Sequence, residues 1–318
     1  MTVLVADKFE KSGLEGLYAL GVDVAYEPDL KDETLEGRIR DTGAEALIVR
    51  STKVTREMIV GSKLKLIVRA GAGYNTIDVN AATEAGVQVA NCPGKNAAAV
   101  AELAFGLIIA LDRRIPDNVS QLREGKWNKK EFSKARGLAG STLGLIGSGN
   151  IAREMIRRAK AFGMHVIVST KFLTEDQAAD LGVELAKTGP VELAGRCDIV
   201  SVHCSLREDT KGLCGAEFFD AMRPGSLFIN TSRAEVVDQK ALLSAIESKG
   251  VRAGLDVFDG EPAGAEGDYD GPLRTNPGIY ATHHIGASTD QAQEAVAAET
   301  VRIVAVFKDT GEAPNRVN

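Results

Sequence analysis

The chain has 318 residues, 44% hydrophobic and 26% charged, a length that accommodates two domains with separate cores. Its net charge of −6 is spread without long runs, which argues against a nucleic-acid surface and leaves anionic ligands to be met by local cation clusters. The longest apolar run, Leu103-Ala-Phe-Gly-Leu-Ile-Ile-Ala-Leu111, is too short to span a bilayer, and the four cysteines (Cys92, Cys197, Cys204, Cys214) lack metal-type spacing and read as reduced core thiols of a cytoplasmic protein.

Taken in chain order, the sequence opens directly on a strand at residues 3–5, followed by a charged turn, with no signal-peptide pattern. Further short β-branched runs predict strands at 22–26, 46–49, 66–69 and 87–90. Helical patterns separate them, as in a parallel sheet covered on both faces. Residues 96–115 are Ala-rich and predict one unbroken helix that ends before Pro116. A second series of strands follows at 142–146, 166–169, 199–203, 226–229, 253–257 and 279–282. A last helix, at 291–307, lies too far along to serve the second series and is expected to return to the first. Two α/β units are therefore expected rather than one wide sheet. The loop at 259–277, rich in Gly, Pro and acid, follows a strand and is a candidate to carry function.

The second series begins with Gly144-Leu-Ile-Gly-Ser-Gly-Asn-Ile-Ala152, a G-x-G-x-x-A pattern between a strand and an amphipathic helix. Gly147 permits the tight turn, Gly149 lets backbone approach a pyrophosphate, and the small Ala152 lets helix pack on strand. The N–H groups at the helix start, around Asn150 and Ile151, face the phosphates. The pattern alone is weak, but with a strand before it and a second strand after it at the right distance it predicts dinucleotide binding.

Four other features sit at the carboxyl ends of predicted strands, where parallel α/β sheets bind ligands. Arg233, in Phe228-Ile-Asn-Thr-Ser-Arg233, suits a carboxylate and a neighbouring carbonyl, as in a 2-oxo acid. Asp256 lies in an apolar stretch and needs hydrogen-bond donors, for which a carboxamide such as that of nicotinamide would serve; Glu261 follows in the loop. His283 and His284 end another strand, whose alternation allows only one of them to face a given cleft. His165 and His203 lie in strand-like runs and read as structural. Arg69-Ala-Gly-Ala-Gly73 can turn backbone N–H groups toward an anion.

Together these motifs resemble the D-isomer-specific 2-hydroxyacid dehydrogenase family over essentially the whole chain, and within it the 3-phosphoglycerate dehydrogenases. The resemblance rests on Val49-Arg-Ser-Thr-Lys-Val-Thr55, Arg69-Ala-Gly-Ala-Gly-Tyr-Asn75, Ala101-Glu102 and Gly125-Lys-Trp127. It continues through the glycine turn, Asn230-Thr-Ser-Arg233, Leu255-Asp-Val-Phe258, Glu261-Pro262 and His284-Ile-Gly-Ala-Ser-Thr289. It implies two doubly wound parallel-sheet domains, a Rossmann cofactor domain (98–285) inserted in a flavodoxin-like substrate domain (1–97 and 286–318). It implies Arg233, Glu261 and His284 as the catalytic set. His284 would exchange a proton with the substrate hydroxyl, its pKa raised by Glu261, while Arg233 holds the carboxylate.

Cofactor contacts are expected at Gly147, Gly149, Asn150, Ile151, Ser169, Thr170, Lys171, Cys204, Ser205, Thr231 and Asp256. Substrate contacts are expected at Arg50, Arg69, Ala72 and Gly73, with Lys129 or Lys130 reaching in from a partner subunit. Residues 116–134 resemble the arm by which these enzymes form homodimers. The C-terminal regulatory domains of many phosphoglycerate dehydrogenases are not expected here, nor the serine feedback they confer.

Three departures from the family pattern bear on ligands. Where NAD-linked members carry an acidic residue after the second cofactor strand, this chain reads Ser169-Thr-Lys171, leaving no carboxylate to repel a 2′-phosphate. Ser205 stands where relatives often have proline. Both favour NADP(H) over NAD(H). Ala97-Ala-Ala99 lacks hydroxyls that relatives often place near the ligand, and His283 replaces a usual proline. The expected reaction is hydride transfer between a nicotinamide cofactor and C2 of a small D-2-hydroxy acid, 3-phosphoglycerate in serine biosynthesis foremost. Hydroxypyruvate, glyoxylate or a sulfonated acid are the alternative substrates. The alternative of another class is a non-catalytic dinucleotide sensor like the family's corepressors, against which Arg50, Arg69 and Trp127 weigh.

Overall fold

A computed structural model describes residues 1–262 and 266–318; of the 259–277 loop, residues 263–265 lie outside the described residues. The chain forms two compact units, Met1–Asn96 with Ala287–Asn318, and Ala97–Gly286.

The first unit holds β1 (Thr2–Val5), β2 (Asp23–Tyr26), β3 (Ala46–Val49), β4 (Leu66–Arg69) and β5 (Gln88–Asn91), all parallel in the order β2-β1-β3-β4-β5. This is the flavodoxin-like order. Alternating residues divide between two cores: Val3, Val5, Ile48, Leu66 and Val68 on one face, Leu4, Leu47, Val49 and Ile67 on the other. Burial on both faces explains why these strands read as continuous apolar runs. The helix Asp290–Thr310 packs on the helix Lys11–Ala19, where Gly16 admits Val301: a Cβ at Gly16 would lie 3.0 Å from it. The C-terminal residues then return to β5, Val317 N–H donating to the Val89 carbonyl at 2.8 Å.

The second unit holds β6 (Thr142–Ile146), β7 (His165–Ser169), β8 (Glu184–Leu185), β9 (Ile199–Val202), β10 (Leu227–Asn230), β11 (Arg252–Leu255) and β12 (Ile279–Ala281). All seven are parallel, in the order β12-β11-β10-β9-β6-β7-β8. Counted within the unit this is the Rossmann order 3-2-1-4-5-6 with one strand added, and the order reverses between β6 and β9.

The expected unbroken helix at 96–115 stops earlier. It spans Ala97–Arg113; Arg114 adopts a left-handed conformation (φ 51°) and a new helix, Ile115–Arg123, begins. Pro116 explains the break. Without an N–H, and with a ring that crowds the preceding turn, it cannot continue a helix but suits the first turn of a new one. Ion pairs from Arg114 to Asp117 (3.1 Å) and Glu131 (2.5 Å) hold the corner. The two-residue β8 has no counterpart among the expected strands. Among the described residues, no helix is long and apolar enough to cross a membrane.

Candidate active site

In the second unit the chain leaves the carboxyl ends of β6, β7 and β9 into one cavity of about 550 Å³ lined by Gly147, Gly149, Thr170, Lys171, His203 and Cys204, among others. Gly147 has φ 107°, and a Cβ there would lie 2.6 Å from the His203 carbonyl oxygen. No L-residue fits that turn. Gly149 faces open space within 4 Å of its Cβ direction, and the helix Asn150–Ala161 starts there with no side-chain cap. Its first N–H groups therefore remain available to an anion. Ala152 is fully buried against Leu143 and Leu145, so strand and helix pack closely. Gly147→Ala is expected to cost about 2 kcal/mol of stability and to abolish tight dinucleotide binding, since both the positive φ and the carbonyl contact oppose a methyl. Thermal unfolding and cofactor titration check both effects.

At the end of β7, Ser169 is buried and the Thr170 hydroxyl lies 2.8 Å from Ser148 Oγ and accepts the Phe172 N–H at 3.1 Å. Lys171 pairs with Asp209 at 3.0 Å. This corrects the expectation that no carboxylate stands near a cofactor 2′-phosphate: Asp209 arrives from a loop 38 positions away. Ser205 lies on the same loop and Cys204 beside it, its thiol pushed up to about 11 by burial. Cys92, Cys197 and Cys214 are buried, and all four thiols are free. His203, expected to be structural, is buried at the cavity wall: its ring lies 2.8 Å from Ser201 Oγ, and burial lowers its pKa to about 3.

Arg233 follows β10 on a short turn built by Asn230. The Asn230 side chain donates to the Arg233 carbonyl at 2.9 Å and accepts the Ser232 N–H at 3.0 Å. Thr231 is buried on this turn. Burial lowers the Arg233 pKa from the usual guanidinium value, with Glu235 and Glu261 opposing the shift. Glu261 and His284 meet at 2.8 Å, Oε2 to Nδ1. Burial pushes the Glu261 carboxyl up, but His284 and the Phe258 N–H, 2.8 Å away, more than offset it, and the net shift is downward. The hydrogen bond to Glu261 raises the His284 pKa, against the opposing pull of partial burial. Glu261 feels the charges of both His284 and Arg233, and His284 feels that of Arg233, so the three form one electrostatic group.

The histidine pair needed a different argument from strand alternation. β12 ends at Ala281, and both histidines lie beyond it. What aims His284 is a left-handed backbone (φ 53°), a conformation uncommon outside glycine and a marker of functional strain. His283 is exposed and lines a depression with Glu266 and Asp268.

Asp256 sits one residue past β11 and is 2% exposed. Its carboxylate accepts from the Thr282 hydroxyl (2.7 Å), the Ile285 N–H (2.9 Å) and the Gly286 N–H (2.8 Å). The hydrogen-bond donors that this carboxylate was expected to need come from its own chain rather than from a carboxamide. Three donors from its own chain already offset the several kcal/mol that burial of a bare carboxylate would cost. One acceptor position of the four remains.

In the first unit, Arg50 follows β3. Its N–H and those of Ser51 and Thr52 converge on the Asp7 carboxylate at 2.6–3.1 Å, which fixes that turn. Arg69 ends β4 with its guanidinium folded over Gly71, whose missing side chain leaves room for it: a Cβ there would lie 1.5 Å from Arg69 Nη1. The Ala72 carbonyl accepts from Asn91 at 2.6 Å, fixing the turn that carries Gly73. Lys129 begins a short helix, Lys129–Phe132, and lines a separate groove of the second unit with Trp127; Lys130 is exposed beside it.

Residues 105–286 match the model of the D-isomer specific 2-hydroxyacid dehydrogenase NAD binding domain. The chain is 42% identical over 270 residues to the hydroxypyruvate reductase of Thermotoga maritima, covering 84% of this chain and 85% of that protein. The chain belongs to the D-isomer-specific 2-hydroxyacid dehydrogenase family. It is also 39% identical over 308 residues to the D-3-phosphoglycerate dehydrogenase of Methanocaldococcus jannaschii, covering 95% of this chain but 57% of that one. The chain thus spans about half the length of the curated phosphoglycerate dehydrogenases it matches. Among solved structures, a glyoxylate reductase from Paecilomyes thermophila superposes with a TM-score of 0.88 at 29% identity, covering 100% of this chain and 98% of that one.

Against this 2-hydroxyacid dehydrogenase frame, the sequence motifs left out Asn230 and Thr282 as positioning groups and Arg207 and Asp209 as cavity residues. Asn230 lies within a quoted motif and its spacing to Arg233 was visible. The ion pair of Lys171 with Asp209 had no sequence signal, because it depends on how two loops meet.

Proposed function

We propose that this protein is an NADP(H)-preferring D-2-hydroxyacid dehydrogenase with 3-phosphoglycerate and 3-phosphohydroxypyruvate as its substrate pair. The observation that carries the reaction type is the 2.8 Å contact of His284 with Glu261, in one electrostatic group with Arg233. The glycine turn, its uncapped helix start and the cavity fit a dinucleotide, whose nicotinamide supplies or accepts the hydride when bound. Arg233 binds the substrate carboxylate and polarises the C2 carbonyl. His284, held protonated by Glu261, gives its proton to the C2 oxygen during reduction and takes it back during oxidation. Asp256 fixes the loop that carries His284 and offers its remaining acceptor position to a carboxamide. In the first unit, Arg50, Arg69 and the Ala72 and Gly73 amides are the groups suited to an anionic substrate, and Lys129 of a partner subunit is the further cation that this reading adds.

NADP(H) preference rests on the lack of an acidic residue after β7 and on the cavity's charge. Arg153, Lys171, Lys187 and Arg207 line it against the single carboxylate of Asp209. Thr170→Asp is expected to move the preference toward NAD(H) by about tenfold or more, a change of about 1.4 kcal/mol. The new carboxylate can accept the Phe172 N–H that Thr170 now accepts, so the fold tolerates it. The ratio of kcat/KM for NADPH and NADH reads this directly, and an unchanged ratio removes the 2′-phosphate argument.

A homodimer is supported by the exposed apolar side chains Ile115, Val119, Leu122 and Trp127, crowded on one short stretch. Four free thiols fit a reducing, cytoplasmic setting. The second substrate reading, hydroxypyruvate or glyoxylate, is favoured by the match to a hydroxypyruvate reductase over 84% of this chain and 85% of that protein. A steady-state matrix decides: NADH and NADPH crossed with 3-phosphohydroxypyruvate, hydroxypyruvate and glyoxylate. Preference for the phosphorylated acid by orders of magnitude supports a role in serine biosynthesis. Equal or better use of the others makes Arg50 and Arg69 structural.

A further inference from the structure

The rim of the nucleotide cavity carries three charged side chains in one chain of contacts. Asp209 lies 3.0 Å from Lys171 Nζ and 3.4 Å from Arg207 Nε. The Arg207 guanidinium in turn stands 5.1 Å over the Phe172 ring, which is itself 65% exposed. These residues come from two separate loops, after β7 and after β9, on the two sides of β6 where strand order reverses. The second loop is built rather than slack. Thr210, 6% exposed, accepts the Arg207 N–H at 2.8 Å and donates its hydroxyl to the Ser205 carbonyl at 2.7 Å. That turn sets where Arg207 and Asp209 emerge.

Stability does not account for the cluster. Its three charged side chains are each about half exposed or more, and such pairs contribute about 0–1 kcal/mol. A carboxylate at the edge of a cavity otherwise lined by cations opposes the binding of a polyanion, so Asp209 bears on what enters. Resting on the reading of this cavity as a dinucleotide site, we infer that Lys171, Asp209 and Arg207 act as one discriminating element for the adenosine ribose. With an unmodified ribose, Asp209 is the acceptor for the hydroxyls, the role left vacant by the missing acid after β7. With a 2′-phosphate, the phosphate takes the place of Asp209 on Lys171 and Arg207. The same three residues therefore admit both cofactors, and Asp209 limits how strongly the phosphorylated one is preferred. Phe172, held under Arg207, borders the space beside that ribose.

The test is the ratio of dissociation constants of NAD⁺ to NADP⁺, measured by calorimetric titration without substrate. Asp209→Asn is expected to raise that ratio about tenfold, weakening NAD⁺ and tightening NADP⁺ together. Arg207→Gln is expected to lower it by a similar factor, and to flatten the salt dependence of NADP⁺ binding. A ratio that stays within about twofold of the parent in both variants overturns the inference. So does an equal loss of both cofactors in Asp209→Asn, which would mark a structural role. The parent protein's own ratio tests the NADP(H) reading separately. If the parent binds NAD⁺ more tightly, that preference fails, while opposite shifts in the two variants still support the discriminating element.

Discussion

His284→Ala is expected to lower kcat by about two to four orders of magnitude, the range by which a positioned general acid or base accelerates proton transfer. The substitution deletes the imidazole that meets Glu261 at 2.8 Å. It should leave cofactor binding nearly intact, because His284 is not among the residues lining the nucleotide cavity. A small residue at φ 53° costs about 1–2 kcal/mol in any chain, and the native histidine already bears that strain, so folding should survive. Turnover at saturating cofactor, beside the NADPH dissociation constant, separates the two effects. Retained turnover would refute the proton-transfer role.

Glu261→Gln refines that result through pH. In the proposed reaction, reduction draws on protonated His284, whose pKa lies above the ordinary histidine value chiefly because of its hydrogen bond to Glu261. Reductive kcat/KM is therefore present below that raised pKa and falls as pH climbs through it. The amide removes the negative charge while still able to accept the Phe258 N–H, so the descending limb should move to lower pH. A limb that does not move would assign it to another group.

The second large effect concerns Arg233. Arg233→Gln is expected to lower kcat/KM for any 2-oxo acid by about a thousandfold, about 4 kcal/mol of lost transition-state binding. A guanidinium whose own burial lowers its pKa has already lost much of its water, so its fork meets a carboxylate with little competition. Arg233→Lys should recover only part of the loss, since an ammonium cannot span both the carboxylate and the neighbouring oxygen. KM should rise as kcat falls. An unchanged KM would place the substrate carboxylate elsewhere.

Much of this architecture was legible because buried parallel strands announce themselves. Ala46–Val49 and Leu66–Arg69 are apolar on both faces, and their bounds follow from the sequence without change. Glu184–Leu185 was not legible, because two residues, one of them exposed, offer no periodicity. Pro116 was correctly a boundary, but its place inside the first turn of the next helix moved the break to Arg114. Residue types near strand ends singled out Arg233, Glu261 and His284, whereas their geometry depends on long-range partners. Asp256 binds residues up to 30 positions away, and Lys171 meets Asp209 across 38. Such contacts belong to topology, and local pattern does not encode them.

Trp127 is the sole tryptophan of the chain and is 81% exposed on the segment that follows Arg114. Its emission is therefore a report on that segment alone. The spectrum of the isolated chain should resemble that of a hydrated indole, with little further change on denaturation. Dilution through a dissociating dimer should shift its maximum to longer wavelength, while the fold stays intact. Trp127 would thus serve as an optical gauge of the proposed self-association.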